Sequence, residues 1–309
     1  DAASARQCTA FATAADLGFI VGPRLNAAGR LDDMSVGIEC LLADSTASAR
    51  AKAENLHALN RERRDIEQSM QTDALAQLDA LNLDQPDLPF AMTLYDPSWH
   101  QGVIGILASR IRERVYRPTL IFADADEGML KASGRSIPGL HLRDALDQVA
   151  ARHPGLLTKF GGHAMAAGLT LAKADFDPFC EAINAVVAEL LDHVPPEPVA
   201  LSDGSLAPSD LTVSFAEQLA AGGPWGQHFA EPIFDNTFAV RRHRIVGEKH
   251  LKLTLESGGI EVDAIAFNID VTEWLAAPLT QLGALYRLDV NEYRGARTPQ
   301  LVIETFWPH

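Results

Sequence analysis

Lys159-Phe160-Gly161-Gly162-His163-Ala164-Met165-Ala166-Ala167-Gly168 concentrates three glycines, several small residues and one imidazole in ten positions. Adjacent glycines let backbone N–H groups approach an anion with no Cβ in the way, and His163 can donate to the same anion. The stretch reads as a phosphate site built on Gly161, Gly162 and His163, or as a tight turn entering a close-packed helix with His163 bonded to a carbonyl. Two further segments offer similar chemistry. Trp99-His100-Gln101-Gly102-Val103-Ile104-Gly105 follows a strand-like run and opens a helix-like one, so free N–H groups and the helix dipole favour an anion beside His100 and Gln101. Arg110 and Arg112, two residues apart on that helix, point to different faces, so at most one serves such a site. Ser133-Gly134-Arg135-Ser136 places a guanidinium, whose fork matches two phosphate oxygens, between hydroxyls; the alternative is a polar turn after a strand.

Phosphodiester cleavage ordinarily uses divalent ions held by clustered carboxylates and histidines. No metal ligand is assigned here: Asp124-Ala125-Asp126 follows a strand and precedes a glycine turn, and reads as surface. Nor is there a G-x-S-x-G nucleophile elbow. The chain binds phosphate better than it breaks bonds. Further on, Arg241, Arg242, Arg244, Lys249 and Lys252 stand against one acid, Glu248, with His243 and His250 interleaved, followed by Arg287, Tyr293, Arg294 and Arg297. Small barrels grip single strands with a basic groove and aromatic stacking, roughly 1–3 kcal/mol per stacked base. A solvated strand face gives the same pattern.

The elements that position these residues fall into three stretches. Up to Leu83 the pattern is helical, broken once by Gly22-Pro23-Arg24-Leu25-Asn26-Ala27-Ala28-Gly29-Arg30-Leu31-Asp32-Asp33. From Ser45 to Asp84 there is no Gly or Pro, and Ala49, Ala53, Leu56, Leu59, Ile66, Met70, Leu78 and Leu81 recur at helical spacing, giving one long helix or a broken pair. Its Arg61, Glu62, Arg63, Arg64 and Glu67 read as a solvated face. After a linker at 84–89, strand-like runs at 90–95 and 119–123 alternate with helix-like runs at 104–116 and 142–151, which favours an α/β domain. Pro195-Pro196-Glu197-Pro198 makes a second linker, beyond which a short helix at 215–221 and five β-rich runs suffice for an OB-type barrel.

A length of 309 residues predicts more than one domain, and 47% hydrophobic with 22% charged residues is ordinary for a soluble globular chain. No apolar run reaches membrane-spanning length and the first residues lack signal-peptide order, so the expected setting is cytoplasmic, without membrane contact. Cys8, Cys40 and Cys180 show no C-x-x-C spacing and read as reduced thiols. A net charge of −15 repels a polyanion at long range, so nucleic-acid binding has to rest on local basic patches. The chain begins with Asp in what reads as mid-helix, as expected of a piece of a longer protein.

Taken in order, the segments at 22–33, 99–105, 133–136 and 161–168, together with Val246-Gly247-Glu248-Lys249-His250-Leu251-Lys252 and Asp289-Val290-Asn291-Glu292-Tyr293-Arg294-Gly295, resemble the RecJ family of the DHH phosphoesterase superfamily. The similarity runs essentially from Leu17 to Pro308. It implies a single-stranded-DNA-specific 5′-to-3′ exonuclease of DNA repair and recombination that uses Mn²⁺ or Mg²⁺, with a helicase and a single-strand-binding protein as further partners. In that family the metal ligands, including Asp-His-His, lie in an N-terminal domain, and no Asp-His-His occurs here. The resemblance therefore implies a C-terminal portion that binds no metal by itself, is inactive alone and works with the missing N-terminal domain. Its expected division is 1–87, the tail of the catalytic domain with a connecting helix; 88–194, the DHH-associated domain; and 195–309, the OB barrel.

Carried over by motif, His163 is the candidate catalytic residue, and Asn26, Arg30, His100, Arg110, Ser133, Arg135, Gly161 and Gly162 are candidates for phosphate and substrate binding. Arg24 and Arg30 are not ranked by the sequence. Arg241, Arg242, Arg244, Lys249, Lys252, Tyr293 and Arg294 are candidates for gripping the downstream strand. Two other functions share these features: a DHH phosphodiesterase of short oligonucleotides or cyclic dinucleotides, and a non-catalytic single-strand-binding module.

Overall fold

The computed structural model describes residues 16–81, 88–226, 228–247, 249–267, 269 and 271–309. The helical reading of residues 1–15 and most of the linker at 84–89 lie outside them. The segment around Pro23, read above as a break, is helical. A π-helical turn at Leu17–Val21 runs directly into α1 (Gly22–Leu31). Pro23 lies in its first turn, the junction with the π-helical turn, and the helix ends only at the extended Asp32. After α2 (Ser35–Leu41), the glycine- and proline-free run forms α3 (Thr46–Leu81), one helix of 36 residues.

A five-stranded mixed sheet follows, with strands β1 (Met92–Tyr95), β2 (Thr119–Asp124), β3 (Met129–Arg135), β4 (Lys159–Gly162) and β5 (Ala166–Ala172) in the order β1-β2-β3-β5-β4. β1 and β2 are parallel and joined through α4 (Ile104–Val115); the other pairs are antiparallel. Strand alternation separates the two faces. Leu130, Ala132, Ala167, Leu169 and Leu171 pack with α5 (Leu142–Arg152) and α6 (Phe176–Leu190). A second core joins Ile121 and Ala123 of β2 to Ile104, Leu107, Ala108 and Ile111 of α4 and to Met70 and Ala74 of α3.

Two local readings change here. Ser133, Gly134 and Arg135 lie inside β3, not in a turn after it, because their cross-strand partners Ala166, Ala167 and Gly168 extend the ladder to its end. No helix follows Gly162: β4 and β5 form a hairpin, closed by the His163 N–H donating to the Ala166 carbonyl at 2.8 Å.

Residues Asp1–Pro198 and Val199–His309 form separate compact units. The second begins its regular structure with α7 (Val213–Ala221), capped by Thr212, whose Oγ1 accepts from the Phe215 N–H at 3.2 Å. Strands β6 (Phe234–Val246), β7 (His250–Ser257), β8 (Ile260–Ala266), β9 (Gln281–Tyr293) and β10 (Ala296–Pro308) close a barrel of order β6-β7-β8-β10-β9. Only β8 and β10 are parallel, and α8 (Val271–Ala276) lies between the third and fourth strands, which is the OB topology. Leu251, Leu253 and Leu255 alternate into its core beside the fully buried Tyr286, whose hydroxyl donates to Asn236 Oδ1 at 2.7 Å. Among the described residues no helix is long and apolar enough to cross a membrane.

Candidate phosphate cleft and strand-binding barrel

Cross-strand register puts Ser133, Arg135 and Gly161 on one sheet face, while Gly162, paired with Ala167, belongs to the other. Ser133 pairs with Gly168 and Gly168 with Gly161, while Arg135 pairs with Ala166 next to the His163 turn. Directly paired residues point to the same side. Thus Gly161 and Gly168 leave the face bare between Ser133 on one flank and the exposed hairpin tip at His163 on the other. The tip is tied at two points: Ser136 N–H donates to the Met165 carbonyl at 3.0 Å, and Leu142 N–H to that of Ala164 at 2.9 Å.

α4 brings the second group of residues to Arg135. Arg135 Nη1 donates to Ser133 Oγ at 3.2 Å and to the Gly134 carbonyl at 2.9 Å. A Cβ on Gly105, in the first turn of α4, would stand 2.9 Å from Arg135 Nη2 and 3.0 Å from Ser133 Oγ, so this close approach requires glycine. Just before the helix, His100 is exposed and its Nδ1 accepts from the Gly102 N–H at 3.0 Å, which leaves the ring proton on Nε2 when the imidazole is neutral. Gln101 is spent elsewhere, donating to the Asp124 carbonyl at 2.8 Å.

Arg30 completes the group. Its Nη1 donates to the Gly102 carbonyl at 3.2 Å, and Asn26, one turn earlier on α1, is exposed. The two arginines that the sequence left unranked have different partners. Arg24 is directed to His57 Nδ1 at 3.2 Å and the Ile20 carbonyl at 2.6 Å, whereas Arg30 stands beside the helix start. Arg110 is turned away from the cluster, to Glu67 at 3.3 Å and Glu113 at 3.4 Å. Arg112, its neighbour on the other face, is the one whose charge acts on Arg135. Offset by two residues, the pair could not be assigned from spacing alone.

Electrostatically the group is short of anions. Burial lowers the pKa of Arg135 below the ordinary arginine value, and the charges of Arg30 and Arg112 push the same way. Burial also lowers Arg30, with Arg63 adding to the effect and Glu67 opposing it. Arg30 and Arg135 donate only to neutral oxygens and form no ion pair among the described residues. Half-buried guanidiniums without a carboxylate make a strong site for a bidentate anion. No three His, Cys, Asp or Glu side chains converge among the described residues, so their donor set does not fit a divalent metal.

In the barrel, the local count of charges misled. The acids that matter come from neighbouring strands. Arg241 pairs with Glu256 at 2.7 Å, Arg242 with Glu261 at 3.2 Å and Lys252 with Asp263 at 3.0 Å. Arg244 and Lys249 are exposed and form no ion pair among the described residues; Glu248, the acid weighed against them, lies outside those residues. At the β9–β10 turn Tyr293 is 63% exposed with the Arg294 guanidinium 5.2 Å from its ring centre. Arg244, Lys252, Asp263, Asn291, Tyr293, Ala296 and Thr298 line an open cleft beside this turn. It offers the Arg244 cation, a Lys252–Asp263 pair, hydrogen-bonding side chains and an exposed ring within one groove.

The DHHA1 domain matches residues 88–189 and the RecJ OB domain residues 202–305. The chain is 53% identical over 297 residues to the single-stranded-DNA-specific exonuclease RecJ of Dickeya dadantii and 49% identical to that of Escherichia coli. Each alignment covers 96% of this chain and 52% of the relative, so the chain spans about half the length of the curated relatives it matches. RecJ of Thermus thermophilus, solved in complex with Mn²⁺, matches with a TM-score of 0.79 at 29% identity, over 96% of this chain and 42% of that one. A structure of the same protein with Mg²⁺ gives the same TM-score at 28% identity. With both domains matched in order and nearly the whole chain aligned, the chain belongs to the RecJ family and carries its DHHA1 and OB domains.

Proposed function

We propose that this chain is the substrate-gripping part of a single-stranded-DNA 5′-to-3′ exonuclease. Arg30, Ser133 and Arg135 hold a terminal or scissile phosphate, with the Gly161-Gly162-His163 tip beside it as the donor nearest the reacting group. His100 and Asn26 border the same group; Arg110, tied to Glu67 and Glu113, is the least suited of the candidates. Arg244, Lys249, Tyr293 and Arg294 grip the downstream strand, while Arg241, Arg242 and Lys252 are largely neutralised by their acids. The barrel favours a polymer over a cyclic dinucleotide, which needs no extended groove. Hydrolysis itself requires the metal-binding domain of the complete protein, with Mn²⁺ or Mg²⁺ as activator; the chain alone binds without cutting. Its setting is cytoplasmic DNA repair and recombination, beside a helicase and a single-strand-binding protein.

The observation that carries the reading is the pair of half-buried guanidiniums, Arg30 and Arg135, lacking carboxylate partners against a bare glycine face. Fluorescence anisotropy with a 3′-labelled oligonucleotide, with and without a 5′-phosphate, tests it. Arg135→Ala is expected to lose about 1.5–3 kcal/mol of binding to the phosphorylated strand, the range for a charge-assisted hydrogen bond. Arg135→Lys, a point charge without the fork, recovers only part of it. Equal binding by wild type and Arg135→Ala would remove the assignment. Cleavage in Mn²⁺ by the rigorously pure chain would refute the claim that it is inactive alone.

A further inference from the structure

The middle of α3 carries polar side chains where an amphipathic helix carries apolar ones. Leu56, Asn60, Arg63, Glu67, Met70 and Ala74 recur at three- and four-residue spacing along one stripe, and Asn60 is 1% exposed and Arg63 8%. Arg63 and Glu67 therefore do not belong to the solvated face to which the sequence assigned them. Buried charges destabilise unless paired and hydrogen-bonded. These are: Arg63 Nε and Nη2 both reach Asn60 Oδ1 at 3.3 Å, and Nη1 donates to Glu67. The second Glu67 oxygen accepts from Arg110 Nε of α4 at 3.3 Å. Glu67 thus ties the long helix to the helix whose first turn meets Arg135. It also lies within electrostatic reach of Arg30, as does Arg63.

We propose that Glu67 is a charge-setting positioning residue of the phosphate cleft, anchored by Arg63 and Arg110, which limits anion affinity at Arg30 and Arg135 so that phosphate leaves again. The inference rests on the reading that these two arginines hold phosphate. A group of guanidiniums with no carboxylate nearby binds a phosphate dianion tightly, and release then slows. The Glu67 carboxylate, held by Arg63 and Arg110 and within electrostatic reach of Arg30, lowers the positive potential there. Asn60 serves by fixing Arg63, which in turn aims the carboxylate.

The test compares wild type with Glu67→Gln, Glu67→Asp and the double variant Arg110→Gln/Glu67→Gln. Each is titrated against a 3′-labelled, 5′-phosphorylated oligonucleotide over a salt series, with thermal unfolding measured alongside. Glu67→Gln is expected to bind roughly fivefold more tightly at low salt, with a steeper salt dependence, since one partly screened negative charge has gone. The double variant, which deletes the interhelical pair, keeps the tighter binding, since Glu67 acts on Arg30 and Arg110 acts on neither Arg30 nor Arg135. A merely structural role predicts the reverse: weaker binding by both variants, in step with their lost thermal stability. That result, or unchanged affinity for Glu67→Gln, overturns the proposal. Should Glu67→Gln not fold, Glu67→Asp decides: affinity within about twofold of wild type supports control by charge, and a larger loss overturns it. Failure of the underlying phosphate reading appears separately, as wild-type binding insensitive to Arg135→Ala.

Discussion

Gly105 separates stability from binding at a single residue. It is the second residue of α4. Alanine there favours the helix over glycine by less than the roughly 1 kcal/mol of a helix interior. The same methyl would stand 2.9 Å from Arg135 Nη2 and 3.0 Å from Ser133 Oγ, and the guanidinium, as the flexible end of a long side chain, is what gives way. Gly105→Ala is therefore expected to leave the thermal midpoint unchanged or slightly raised while preference for a 5′-phosphorylated strand falls severalfold. Thermal unfolding and anisotropy on the same protein check both halves. Retained preference would mean that phosphate does not meet Arg135 where the structure holds it.

At the scale of elements, the β4–β5 hairpin uses two adjacent glycines for different ends. Gly162 has φ +141°, and an added Cβ would meet the Ala166 carbonyl at 2.4 Å and Ala167 Cα at 2.5 Å. Gly161 has nothing within 4 Å of such an atom. Gly162→Ala should cost about 2–3 kcal/mol in urea unfolding, as a strained backbone with a steric clash does. Gly161→Ala should cost less than about 1 kcal/mol yet put a methyl on the bare face and weaken strand binding. Equal stability losses would contradict the register that distinguishes them. The same hairpin shows what the sequence could convey. Two adjacent glycines announce backbone doing something a side chain prevents, but their pairing with Gly168 and Ala167 is long-range, so a hairpin and the start of a helix stayed indistinguishable. The run from Ser45 to Asp84 was legible as helix because periodicity is local. The burial of Asn60 and Arg63 was not, since it depends on α1 and α4 arriving from elsewhere. In the barrel the five strands were legible from turn signals and alternation, whereas Glu256, Glu261 and Asp263 neutralise their arginines and lysine only across strands.

For the whole molecule, a net charge of −15 has to coexist with binding a polyanion. Screening reconciles them: the Debye length is about 10 Å at 0.1 M salt, so the acidic envelope is muted beyond that distance while contacts made at the surface persist. The cations available for such contacts are those not committed to acids. Arg30 and Arg135 in the first unit, and Arg244, Lys249 and Arg294 in the second, form no ion pair among the described residues. If all engage phosphates, log affinity for a single strand should fall against log salt with a slope of roughly −3.5, each contact contributing about −0.7. Arg244→Ala should lower the slope by one such increment, and Arg241→Ala, already paired with Glu256, should barely change it. Below about 0.01 M salt, where the Debye length reaches 30 Å, the unscreened acidic envelope should flatten the line. Equal effects of Arg241→Ala and Arg244→Ala would show that the cross-strand acids do not neutralise their partners when DNA is present, and that the barrel's whole basic strand, as its local sequence suggests, faces the nucleic acid.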